Sequence, residues 1–406
     1  MSAIDRAAVA TLAAFALAGL AACSSDSDGS GTAASATGGG GAAQVAVTMV
    51  GGESGDQCQL STDTVAAGPV TFTVVNSSAT AITEFELLDG NRIIGEKENL
   101  VPGLGEVTLT LTLGGGAYEV FCPNASTEKV AFTVTGEASA EPTGTAAELL
   151  QSGADDYAVY VDEQVTAMVT GVQNLQKAVD SGDLAAAQSA YAAARPFYEK
   201  IETDVEGFLL PGADPTSNKG NLDYLIDMRA SSFDPEVGWS GFHAVERDLF
   251  AKEKITDQTK RYAADLVDNV ITLVDVAGTL TFAPEDLANG AAGLLEEVQT
   301  GKITGEEEMY SRLDLVDFAY NVEGAQQAFE ALRPGLTEVD PDLVDTISSR
   351  FEDLNALLET YKDSDSLGGY IAYTPQVRAS EGPTLASGVQ ALQESMTRLA
   401  EKVATA

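Results

Sequence analysis

The stretch GWSGFHAVERDLF, Gly238 to Phe250, contains His243, the single histidine of the chain, with Glu246 three positions on. On a helix, residues at i and i+3 share one face, so the imidazole and the carboxylate point the same way. An imidazole nitrogen beside carboxylate oxygens suits a divalent or trivalent cation. Further carboxylates precede them. In ARPFYEKIETDVEGF, Glu199, Glu202 and Glu206 fall at i, i+3 and i+7, which predicts one helical face carrying all three, and NLDYLIDMR supplies Asp223 and Asp227. Together they predict a mixed nitrogen–oxygen site for a single ion between helices of a bundle. Di-iron bundles use related Glu and His spacings in duplicate; here one such motif occurs, in the order His-then-Glu. Each residue also has a structural reading. The glutamates serve equally as a solvated helix face, and Asp223 and Asp227 as caps or as partners of Arg229.

Hydrolytic chemistry lacks parts. A zinc peptidase of the HExxH kind needs two histidine ligands, a carboxylate ligand and a catalytic glutamate, and one histidine cannot supply that. A serine mechanism would use His243 as its base, yet Ser231, Ser232 and Ser240 have no nucleophile-elbow context. The glycine run Gly38 to Gly41 is followed by a strand pattern, the wrong setting for a phosphate-binding loop.

The elements that must position these groups differ in texture along the chain. From 44 to 136, short alternating runs (QVAVTMV, PVTFTVVN, ITEFELLDG, EVTLTLTL, AYEVFC, KVAFTVTG) are broken by Gly, Pro and Asn, which predicts a β-sandwich. Residues 137–147 read as a linker. From 148 to 406 apolar residues recur at three- and four-residue intervals, as in YAVYVDEQVTAMVTGVQNLQKAV and DFAYNVEGAQQAFEALRP, which predicts an all-α helical bundle. Pro196 predicts a kink or a restart in the helix bearing the acidic trio.

Lys and Arg total 22 against 62 Asp and Glu, a formal charge of -40. A field of that sign repels nucleic acid and anionic lipid and concentrates cations, so no nucleic-acid partner is expected. Acidity by itself serves solubility more often than metal binding. Residues 1–22 read as a signal peptide: Arg6 is a thin basic region, and the apolar run Val9 to Leu20 is short for a membrane span. Leu20-Ala21-Ala22-Cys23 resembles the lipobox of bacterial lipoproteins, with Cys23 lipidated after cleavage; an ordinary secretory cleavage site is the alternative. Residues 23–43 form a Ser/Gly/Ala tether. The expectation is an exported protein, lipid-anchored at the outer face of the cytoplasmic membrane.

WSGFHAVERDLF resembles the Gly-Phe-His-x-x-Glu motif of the imelysin-like family, in particular its EfeO-type components of bacterial iron uptake. YEKIE, LIDMR and EEMYSRLDLVDFAYNVEGAQQAFEALRP are similar to further blocks of that family. The sandwich resembles the cupredoxin-like domain that precedes the helical domain in full-length members. The resemblance implies a non-enzymatic component that captures iron and delivers it to a membrane permease, with a haem-dependent peroxidase as a further partner. It implies His243 and Glu246 as ligands, Glu199 and Glu202 as the Glu-x-x-Glu of the earlier helix, and Asp227 or Asp223 as the Ile-Asp-x-Arg aspartate. The loop LLPGADPTSNKG is an insertion-like departure between those elements.

In the sandwich, GAYEVFCPN resembles the approach to a copper-binding cysteine. A blue-copper site also takes two histidines, and no histidine occurs in this domain, so electron transfer of that kind is excluded on ligand supply. The resemblance implies instead a variant site for copper or iron using Cys58, Cys122, Glu84 and Glu86. A Cys58–Cys122 disulfide beside a solvated acidic edge is the alternative, favoured by an oxidising compartment. The alternative function is binding of a polysaccharide or surface partner, for which Trp239 would be a platform; packing beneath the metal-bearing helix is its expected role.

Overall fold

The computed structural model describes residues 41–90, 92–137, 143–278 and 280–406. The signal peptide, Cys23 and most of the tether lie outside the described residues. Among them, β1 (Ala43–Val50), β2 (Gln57–Leu60), β3 (Thr64–Ala66), β4 (Gly68–Asn76), β5 (Phe85–Asp89), β6 (Arg92–Lys97), β7 (Val107–Leu113), β8 (Gly116–Phe121) and β9 (Lys129–Thr135) build two sheets, ordered β2-β1-β4-β7 and β3-β9-β8-β5-β6. Period-two alternation turns Val45 and Val47 of β1 and Phe72 and Val74 of β4 inward, against Phe85, Val120 and Phe132 of the other sheet. Phe72 meets Phe85 and Phe132 with ring centroids 5.5 and 5.3 Å apart. Such pairs each add about 0.5–1.5 kcal/mol to the burial itself.

The alternating runs locate β1, β4, β5, β7, β8 and β9. They miss β2, β3 and β6; the first two are short edge strands with no fully buried residue, so they carry no alternation to read. Cys58 of β2 and Cys122, just beyond β8, form a disulfide that joins the two sheets. Of the two alternatives for these cysteines the structure holds this one, and each sulfur bonds the other rather than a metal.

Helices follow: α1 (Thr145–Ser181), α2 (Leu184–Glu199), α3 (Glu202–Val205), α4 (Leu222–Asp227), α5 (Gly241–Glu246), α6 (Asp257–Ala277), α7 (Pro284–Glu297), α8 (Asp314–Val339), α9 (Pro341–Glu359), α10 (Pro375–Met396) and α11 (Leu399–Ala404). The patterning thus gives the right fold class, a β-sandwich followed by an all-α region. α1 packs against α2, α6 and α8. It buries Leu150, Ala154, Tyr157, Val161, Val165, Met168, Val172, Leu175 and Val179, one apolar stripe at three- and four-residue steps. No helix of the described residues is long and apolar enough to cross a membrane.

The acidic segment departs from expectation. α2 ends at Glu199 and α3 begins at Glu202, so Glu199, Glu202 and Glu206 do not share one continuous helix. Pro196, in the last turn of α2, has no N–H to continue the helical bonding, and Ile201 leaves helical space at φ -136° and ψ 9°. The carbonyl freed at Glu199 accepts a hydrogen bond from Asn321 Nδ2 of α8 at 2.7 Å, so the buried helix end is satisfied.

Sandwich and helices meet through polar side chains. Asn289 of α7 pairs with both backbone groups of Thr110, donating to its carbonyl at 2.5 Å and accepting from its N–H at 3.3 Å. Glu285 accepts the Thr112 N–H at 3.2 Å. Helix side chains thereby cover the edge that β7 would otherwise leave open to pairing with another chain. Lys97, only 7% exposed, reaches Glu296 at 3.0 Å.

Candidate metal centre

Two short helices create the centre. Asn221 caps α4, its side-chain oxygen accepting the N–H of Asp223 and of Tyr224. At the start of α5, Gly241 has φ +67°, and a Cβ there would lie 2.0 Å from the Ile226 carbonyl oxygen. Only glycine lets α5 begin against the end of α4. That contact sets His243 beside Asp227, with Nε2 3.6 Å from Oδ1. A π-helical turn, Arg247–Ala251, follows Glu246, and a second, Val298–Lys302, follows α7. Wide turns of this kind recur at functional sites. The second leads into the loop bearing Glu307 and Glu308. This loop is tied to α5, because the Tyr310 and Ser311 N–H groups both donate to Glu246 Oε1 at 2.7 Å.

Among the described residues, three groups of buried side chains bring ligand-type atoms close enough to share an ion: Asp227, His243 and Glu307; His243, Glu246 and Glu308; and Glu199, Glu307 and Asp317. Their existing partners distinguish them. In the second, His243 Nδ1 meets Glu246 Oε2 at 3.0 Å, and Glu308 accepts from the Tyr191 hydroxyl at 2.6 Å and from the Ser311 hydroxyl. The third already surrounds cations. Arg195 pairs with Glu199, and with Glu307 and Asp317 at 3.0 Å each, while Lys302 lies 3.3 Å from Glu199.

The first group shares these cations, since Arg195 pairs with Asp227 as well as with Glu307, and the third group also keeps unpartnered atoms at Glu199 Oε2 and Asp317 Oδ1; what sets the first apart is an imidazole nitrogen among its unpartnered atoms. Asp227 Oδ2 and His243 Nε2 are buried without any hydrogen-bond partner, and Glu307 Oε2 makes none either, although Lys302 Nζ lies 2.9 Å away. Asp227, His243 and Glu307 are 3%, 1% and 2% exposed, so water does not reach them freely. Buried polar atoms left unpaired cost about 1–3 kcal/mol each. A cation between them would satisfy all three.

Charge follows the same division. Burial opposes ionisation of Asp227, but Arg195 and then His243 outweigh it and hold its carboxyl well below the usual carboxylate range. Burial likewise opposes Glu307, and Lys302 and Arg229 outweigh it, keeping that carboxyl low. Burial instead pushes Glu199 and Glu308 up to about 8 and Asp317 well above its ordinary value. Negative charge therefore concentrates on Asp227 and Glu307. Burial disfavours charge on His243, but Asp227 and Glu246 overcome it and lift the imidazole well above its ordinary value.

The other residues singled out from sequence fall elsewhere. Glu202 meets Lys302 at 3.2 Å and belongs to none of the three groups. Asp223 accepts from the Tyr198 hydroxyl, and burial lifts its carboxyl to about 6. Arg229 pairs with neither aspartate; it reaches Glu98 of the sandwich at 3.2 Å and Glu297 at 2.7 Å. Glu84 lies just before β5, and Glu86 within it is lifted to about 8 by burial and then by Glu84. Neither joins the cysteines in a metal-competent group of the described residues. Trp239 lies between Phe233 and Tyr310, with the Arg247 guanidinium 4.0 Å above its ring. Glu307, Glu308, Asp317, Arg195 and Lys302 were not singled out. A run of three glutamates, 306–308, reads as a solvated loop, and the one local signal was Arg195 four residues before Glu199.

All of these helical residues lie within 153–399, the region that matches the imelysin family (peptidase M75). Over 361 residues, 88% of this chain and 90% of the relative, the sequence is 34% identical to the protein named iron uptake system component EfeO of Escherichia coli strain K12. The same figures hold for the proteins of that name from Shigella flexneri and Escherichia coli O157:H7. The chain belongs to the imelysin family, as an EfeO-type member.

Proposed function

We propose that this chain is the extracytoplasmic ion-binding component of an iron-uptake system, and that Asp227, His243 and Glu307 form the seat of its iron ion. The observation that carries this reading is that Asp227, His243 and Glu307 each bring a ligand-type atom close enough to share an ion, while His243 Nε2 and one carboxylate oxygen of each acid are buried without a hydrogen-bond partner. Two carboxylates and one imidazole are donors that iron accepts in either common oxidation state. The relatives' name, iron uptake system component, supplies iron as the cargo. On this reading the protein captures iron and delivers it to a membrane permease, with a haem-dependent peroxidase in the same system and Cys23 as the lipid anchor.

Capture needs no turnover, and the surroundings of His243 suit no hydrolytic step. Both ring nitrogens face carboxylates. The nearby serine hydroxyls are engaged elsewhere, Ser240 with the Leu225 carbonyl at 2.8 Å and Ser231 with Glu306.

The test is calorimetric titration of the chelator-stripped chain with Fe(III) and Fe(II). One tight ion per chain is expected. His243→Ala, Asp227→Asn and Glu307→Gln should each weaken it by more than about 100-fold, beyond the roughly 10–100-fold typical of an outer-shell partner. Unchanged affinity in all three variants would remove the seat from consideration.

A further inference from the structure

We infer that Glu246 is a positioning residue rather than an ion ligand: it holds the His243 ring so that Nδ1–H points at Glu246 and Nε2 is presented to the ion. This deepens the proposed function and depends on it, because the ion is taken to lie at Asp227, His243 and Glu307. The geometry separates the two ring nitrogens. Nδ1 is 3.0 Å from Glu246 Oε2, whereas Nε2 has no hydrogen-bond partner and lies 3.6 Å from Asp227 Oδ1, the oxygen that Arg195 also holds. Glu246 has no free capacity to turn toward an ion. Its other oxygen, Oε1, is held by two backbone donors, Tyr310 N–H and Ser311 N–H, both at 2.7 Å. A carboxylate pinned on one side by backbone and bonded on the other to the far nitrogen of an imidazole is the arrangement that fixes tautomer and ring orientation in metal-bound histidines.

The pinning predicts an unusual consequence for Glu246→Gln. The two backbone N–H groups require the amide oxygen on their side, so the amide NH₂ must face Nδ1. Nδ1 then becomes the acceptor and gives up its proton, while Nε2, beside Asp227, keeps the proton that the ion would have to displace. The near-isosteric change thus favours the tautomer opposite to the one the ion needs.

The single histidine makes this readable, because ¹⁵N-histidine labelling of the whole chain gives one imidazole. Zinc(II), which is diamagnetic, serves as the probe. In the unsubstituted protein, zinc should bind Nε2 while Nδ1 keeps its proton. In Glu246→Gln without metal, the proton should sit on Nε2, and zinc affinity should fall about 10–100-fold. Zinc on Nδ1 with a protonated Nε2 would overturn the inference and leave an ion site built on the other triad. Stoichiometric zinc binding that leaves both nitrogens unperturbed would overturn the inference together with the seat itself. An uninverted tautomer in a folded Glu246→Gln protein would also overturn it, and the unsubstituted protein decides the matter should that variant not fold.

Discussion

Asp204 shows at the level of one residue how burial ties this protein to pH. Its carboxylate accepts the Tyr157 hydroxyl at 2.7 Å. Burial outweighs that hydrogen bond, with Asp286 adding to it, and lifts the carboxyl from 3.8 to about 7. The folded state therefore holds this proton more tightly than the unfolded chain does. Its contribution to stability is full below the unfolded value and is lost as pH rises from there to about 7, after which it is flat. Asp204→Asn keeps an acceptor for Tyr157 and removes the titration. In urea unfolding, the variant's stability relative to the unsubstituted protein should climb between about pH 4 and about pH 7 and then level off. A relative stability independent of pH would mean that the carboxyl titrates as it does in the unfolded chain. Among single residues, His243 was legible because an imidazole that occurs once draws notice wherever it stands. Arg195 and Lys302 were not, because each acquires its meaning from carboxylates that arrive more than a hundred positions away, at Glu307 and Glu199 respectively.

At the scale of elements, two glycines position the seat in different ways, and substitution should separate them. Gly241→Ala places a Cβ against backbone, 2.0 Å from the Ile226 carbonyl oxygen, at a positive φ. α5 must then move away from α4, carrying His243 from Asp227. Iron binding should be lost, with stability lowered by about 1–3 kcal/mol or more from the strained backbone. Gly301→Ala instead meets the end of a side chain, Glu307 Oε2 at 2.7 Å. Affinity should fall there with little change in the urea midpoint. Equal effects on stability from the two changes would show that the α4–α5 contact is not special. The long helices were legible from their apolar stripes, and α1 is the clearest case. The break between α2 and α3 was less so: Pro196 marked it, but where the chain resumes depends on Asn321, which satisfies the freed carbonyl from α8. The π-helical turns leave no periodic trace, since each departs from the helical repeat for only five residues.

For the molecule as a whole, a charge of -40 and the proposed buried seat would act on cations by different physics. The surface field draws any multivalent ion toward the protein, weakly and without choice. The seat is buried, its carboxylates are ionised by internal cations, and it has fixed geometry. Salt distinguishes the two. Raising ionic strength from about 0.01 M to about 0.15 M shortens the screening length from about 30 Å to about 8 Å, which weakens attraction to exposed charge far more than attraction to buried charge. A calorimetric titration with iron should therefore show a tight, stoichiometric phase whose dissociation constant changes little, followed at low salt by a weak multi-site tail that disappears at high salt. The rate of capture should fall with salt even though the tight affinity holds, because only the approach uses the long-range field. If the tight phase weakens in parallel with the tail, the ion is held by the acidic surface, and the buried triad of two carboxylates and an imidazole serves another purpose.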